Sequence, residues 1–109
     1  MLVGNDRDSH GCIGSAGYEW SEVLQDCIRV FELSLQLVNE GKSQIAGVVF
    51  SSDQLKAEVF TSSGAFILSQ KSDSVYAIDT VESKKFLEKQ NGKWVLGDLT
   101  DKKVHYREE

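Results

Sequence analysis

KKFLEKQNGKWVLGDL, residues 84–99, is the stretch that decides the fold. Two runs, KKFLEKQ and KWVLGDL, flank the dipeptide Asn91-Gly92. Asn-Gly between such runs is the strongest short-range hairpin signal, because both central residues of a two-residue turn need positive φ. Working outward, the same grammar recurs. VYAID (75–79) and AFILSQ (65–70) are separated by Lys71 to Ser74, and Ser62-Ser63-Gly64 leads back to LKAEVFT (55–61). In LKAEVFT, Leu55, Ala57 and Val59 alternate with Lys56 and Glu58, the two-residue period of a half-buried strand.

IAGVVF (45–50) is nearly all apolar and is bounded by Ser51-Ser52-Asp53. RVFELSLQLVN (29–39) puts Phe31, Leu33, Leu35 and Leu37 on one side and Glu32, Ser34 and Gln36 on the other, and Glu40-Gly41-Lys42 turns it. KVHYRE (103–108) supplies a last strand after Thr100-Asp101-Lys102. About eight short strands follow one another without intervening helical patterns, which excludes parallel βαβ units. The expected fold is mainly β, an antiparallel meander in a small closed or half-open barrel that hides its edges. Phe31, Phe50, Phe60, Phe66 and Trp94 are expected to fill its interior.

The 109 residues make one domain, with 1–9 as a flexible lead and 10–109 as the folded unit. A formal charge of −5 argues against a nucleic-acid partner, since phosphate binding needs a basic surface, and is compatible with a basic protein partner. There is no run of about 18 apolar residues, so no spanning helix is expected. The start MLVGNDRDS is too short and polar for a signal peptide. With Met1 as an added initiator, a removed targeting segment is compatible with this start.

The densest chemistry lies in DRDSHGCIGSAGYEWSEVLQDC, residues 6–27. Asp6, Asp8, His10 and Cys12 alternate, which invites a metal reading, but cysteine and histidine suit zinc or copper while paired aspartates suit harder ions. The D-x-D-x-H-G opening imitates a calcium loop, yet Gly17 stands where that loop needs a bidentate glutamate. Cys12 with His10 and Asp8 is the one arrangement on which a thiol enzyme could rest, but a pair two apart on a tight glycine turn rarely meets in the needed geometry. Ser15 lacks the glycine two residues before it that a nucleophile elbow requires. Gly11, Gly14 and Gly17 follow no strand, so they do not form a phosphate cradle. His105 is expected on the solvent face, and Glu58, Asp79 and Glu88 fall on separate strands, so no catalytic carboxylate pair emerges.

The structural reading explains more. Cys12 and Cys27 are either two buried thiols or, in an exported protein, a disulfide closing a loop worth about 3 kcal/mol. Ser21 offers an N-cap with Glu22 behind it, so SEVLQDC is expected to form a short helix. That helix would return Cys27 towards Cys12, with Tyr18 and Trp20 as an aromatic plug over one open barrel end. The opening run thus reads as a clasp, with no catalytic residues, metal or cofactor.

HGCIGSAGYEWSEV together with DCIRVFE, within residues 6–32, resembles a signature of small exported domains of Bacteroides-type lipoproteins. That resemblance implies export, a lipid anchor absent from this chain, and pairing of Cys12 with Cys27. The remainder is similar, more faintly, to the membrane-bound C-type lysozyme inhibitors, periplasmic or lipid-anchored eight-stranded barrels. Their S-G-x-R-Y motif meets Ser72-Asp73-Ser74-Val75-Tyr76 here, and their hairpin lysine meets Lys89 before Asn91-Gly92. Asp73 and Val75 replace the glycine and arginine, and two residues separate Lys89 from Gly92. The resemblance implies a non-enzymatic cell-envelope binding protein with Ser72, Tyr76 and Lys89 towards a basic partner such as a lysozyme. A small-ligand carrier using the barrel interior is the other binding reading.

Overall fold

The computed structural model describes residues 9–109, so Asp6 and Asp8, and all but one residue of the expected lead, lie outside the described residues. Ten strands follow in chain order: β1 Tyr18–Ser21, β2 Asp26–Arg29, β3 Leu35–Asn39, β4 Ile45–Phe50, β5 Lys56–Thr61, β6 Gly64–Ser72, β7 Val75–Asp79, β8 Lys84–Gln90, β9 Lys93–Asp98 and β10 Lys103–Glu108. β3 to β10 form a closed barrel in which each strand pairs antiparallel with the next, and β10 returns to pair with β3. Closure leaves none of these eight strands with an unpaired edge. β1 and β2 make a separate two-stranded ribbon.

The Asn91-Gly92 turn forms as its sequence dictates. Asn91 has φ +56° and Gly92 φ +84°, and Gln90 faces Lys93 across the hairpin. Alternation then sorts the barrel side chains. Leu37, Ala46, Val48, Ala57, Val59, Leu68, Tyr76, Leu87 and Leu96 form the buried interior, with Phe50, Phe66 and Trp94 packed against them. Cross-strand partners such as Leu37–Ala46, Val48–Val59, Ala57–Leu68 and Leu87–Leu96 stack these residues into layers.

Two of the five large residues expected inside are elsewhere. Phe60 is 1% exposed, but it alternates with inward Ala57 and Val59 and therefore sits on the outer wall. Phe31 is 58% exposed. It lies in a 3-10 turn, Val30–Glu32, that breaks RVFELSLQLVN into β2 and β3. The cause is an outer-wall contact. Val30 and Leu33 rest over Gly47 so closely that a Cβ there would meet each at 2.7 Å. Only glycine on β4 lets the chain cross the wall at that height.

The short helix is absent. Gly14–Ala16 and Val30–Glu32 are single 3-10 turns, and SEVLQDC is a hairpin turn. Ser21 does cap: its hydroxyl accepts the Leu24 N–H at 3.1 Å, and Gln25 N–H reaches the Ser21 carbonyl at 2.7 Å. One turn later Gln25 takes φ +55°, and Asp26 and Cys27 pair back to Ser21 and Trp20. Seven residues with two ends in a ladder gain too few helical bonds to repay nucleation.

Candidate functional site

The cysteine-rich run builds a clasp on the barrel wall. Cys12 and Cys27 form a disulfide with Cα atoms 5.6 Å apart, and the Cys12 side chain is buried. With both sulfurs bonded, Cys12 offers no thiolate nucleophile. His10 stacks on Trp20, centroids 4.1 Å apart and planes within 3°. Among the described residues, no three histidine, cysteine, aspartate or glutamate side chains gather as a metal cage.

What holds the ribbon down is Glu58, an outward residue of β5 that is only 3% exposed. Its carboxylate accepts the Ser21 hydroxyl at 2.7 Å, the Val23 N–H at 3.1 Å and the Glu22 N–H at 3.2 Å. Partial burial, and then the Glu58 charge, push the Glu19 carboxyl above its usual range. Tyr18 and Trp20 belong to this ribbon, and neither lines a recess at a barrel end. Arg29 lies 4.5 Å from the Tyr18 ring centroid, a cation–π contact on the outer surface.

A barrel end is nevertheless plugged by aromatics, from three distant strands. Phe50, Tyr76 and Trp94 form a triangle with centroids 5.3 to 6.0 Å apart and planes tilted by 44° to 52°. This end carries the turns that follow β4, β6 and β8. The Tyr76 hydroxyl donates to the Gln54 carbonyl at 2.8 Å, and burial, then the Asp53 charge, raise its pKa. Lys89 rests 5.6 Å from the Trp94 centroid. Gln54, Gln70 and Asp73 complete the rim of a recess of about 400 Å³. Tyr76 and Lys89 therefore share one recess, while Ser72 stands exposed beside it at the end of β6, next to Asp73 and Ser74 of the rim. Tyr76 itself is 3% exposed and acts as wall rather than contact surface.

The opposite end is polar. Leu87 and Leu96 face inward, so Lys85 and Asp98, two residues nearer this mouth on β8 and β9, also face inward and pair at 2.8 Å. The Lys85 hydrogen bond, then the Thr100 N–H, hold the Asp98 carboxyl down at about 2. Tyr106 donates to Gln44 Oε1 at 3.3 Å, and His105, exposed at the rim, meets Asp101 at 3.0 Å. Phe66 and Leu96 floor a recess of about 350 Å³. The signal for this pair was available in the sequence as charge at two inward phases of the alternation.

The three carboxylates on separate strands stay apart in function. Glu58 holds the ribbon, Asp79 pairs with Lys84 at 2.7 Å, and Glu88 accepts from Gln90 at 3.1 Å. Ser15 sits in the first 3-10 turn. The barrel interior between the two mouths is filled by its own side chains, so a ligand has room at the ends rather than the centre. Neither family models, curated proteins nor solved structures yield a match to this chain.

Proposed function

We propose that this is a non-enzymatic binding protein of the cell envelope, exported and tethered by a lipid, whose contact surface is the aromatic-plugged barrel end. The observation that carries the reading is the convergence of the Ser72–Tyr76 and Lys89–Gly92 hairpins on one rim. These are the segments that resemble the two contact motifs of membrane-bound C-type lysozyme inhibitors. The aromatic triangle fixes the hairpins, and Lys89 and the Ser72 hydroxyl project at the periphery. A rigid base with polar tips limits the entropy lost on docking.

Charge supports the partner class. A chain of net charge −5 is steered towards a basic protein such as a lysozyme. The disulfide supports export, because such bonds persist in oxidising compartments. A lysozyme inhibition assay tests the reading. Native protein is expected to inhibit a C-type lysozyme, and Lys89→Ala to weaken inhibition by about tenfold, roughly 1.4 kcal/mol. Full lysozyme activity in the presence of excess native protein would overturn the proposal.

A further inference from the structure

The barrel end opposite the aromatic plug holds a recess of its own, about 350 Å³. We propose that it takes a neutral, polyhydroxylated ring, a mono- or disaccharide, in the bowl over Phe66 and Leu96. Three features of the bowl point to that ligand class.

First, its charges are already cancelled. Lys85 and Asp98 pair inside the bowl at 2.8 Å, with side chains 34% and 23% exposed. A strongly charged ligand of either sign would have to compete with this pair and leave one half-buried partner without its counter-ion. A neutral ligand leaves it intact. Second, hydrogen-bonding capacity remains. Lys85 Nζ carries three N–H groups, and Asp98 accounts for one of them. The Tyr106 hydroxyl reaches Gln44 only at 3.3 Å, a long bond that a ligand hydroxyl can replace at small cost. Vicinal hydroxyls both donate and accept, which matches an ammonium beside a carboxylate and a phenol. Third, the floor is apolar while the wall is polar. Phe66 and Leu96 meet the C–H face of a sugar ring as the wall groups meet its edge.

Size agrees. About 350 Å³ lies at the lower end of the roughly 300–1,000 Å³ typical of small-ligand sites, and the open mouth exposes one edge of the ligand. The fold accounts for Asp98 in part, since it accepts the Thr100 N–H at 2.7 Å in the turn after β9, but not for the inward Lys85. An apolar side chain at position 85 would have continued the Leu87–Leu96 layer.

The test is a 15N–1H NMR titration of the intact oxidised protein with glucose, N-acetylglucosamine and lactose, each to about 50 mM, well above an expected Kd of about 1 mM. At least one sugar is expected to give saturable shifts at Thr61, Lys85, Asp98 and Tyr106, with the amides of Lys89 and Trp94 unmoved. The double variant Lys85→Met/Asp98→Asn removes both charges without stranding either, and is expected to weaken that sugar at least about tenfold while its spectrum stays dispersed. Single Lys85→Met is the second variant, with the same expected loss. Absence of saturable shifts with all three sugars, shifts centred on the plugged end, or equal binding by the double variant would each overturn the proposal.

Discussion

Replacing Glu58 by alanine tests how the cysteine-clasped ribbon is held to the barrel. The carboxylate accepts one buried hydroxyl and two part-buried N–H groups at 2.7, 3.2 and 3.1 Å. Hydrogen bonds to a charged acceptor contribute about 1.5–3 kcal/mol each, and donors left buried add a desolvation cost. The two N–H groups regain water once the ribbon lifts, so the Ser21 bond dominates and the whole loss is about 3 kcal/mol. For a domain of this size that lowers Tm by about 12–24 °C. Glu58→Gln keeps one carbonyl oxygen but aims an NH2 at a backbone donor, so it should fall between wild type and Glu58→Ala. Urea denaturation gives the free energy. Amide exchange locates it, because Glu22, Val23 and Leu24 should lose protection while Leu87 keeps its own. A Tm drop below about 3 °C in Glu58→Ala, or uniform loss of protection around the barrel, would refute the anchoring role.

Removing the disulfide with Cys12→Ser/Cys27→Ser should cost about 3 kcal/mol in urea denaturation, the chain-entropy value for a separation of 15 residues; a loss under about 1 kcal/mol would contradict it. Gly97→Ala drives a Cβ into the Phe86 ring and the Lys103 carbonyl, and the carbonyl is held in the β9–β10 ladder. Its expected cost is above about 2 kcal/mol, read from Tm, and wild-type stability would show that the strands part more easily than this packing implies. Asp98 is depressed from 3.8 to about 2 by Lys85 and Thr100. Its contribution is therefore present above pH 3.8 and is lost as pH falls through about 2. Asp98→Asn should flatten that part of the Tm-against-pH curve, and an unchanged slope there would show that the pair does not persist in solution.

Much of the barrel was legible because its signals are local. Asn91-Gly92 specifies its own turn, and period-two alternation survives in LKAEVFT and VYAID whatever they pack against. What failed depended on residues distant in sequence. Phe31 and Leu33 continue the alternation of β3, and only Gly47, over which Val30 and Leu33 rest, explains why the chain corners there. Ser21 was readable as a cap, but the ladder that stops the turn at Gln25 is made by Trp20 and Cys27. An aromatic plug was foreseeable as a need of an open barrel end. Tyr18 and Trp20 are only two positions apart in the chain and offered themselves, whereas Phe50, Tyr76 and Trp94 meet only once the register is fixed. Phe60 shows the same limit: an aromatic on a strand does not reveal from its own type whether it is buried inside the barrel or on a covered outer wall.

The functional claim rests on one end of the barrel, and interface mapping addresses it most directly. A C-type lysozyme would be titrated into the 15N-labelled, oxidised protein and the amide perturbations followed. Perturbations confined to residues 72–76 and 89–93, lost in Lys89→Ala, are the predicted result. No perturbation, or perturbation centred on the β1–β2 ribbon, would contradict the assignment of that end as the contact surface.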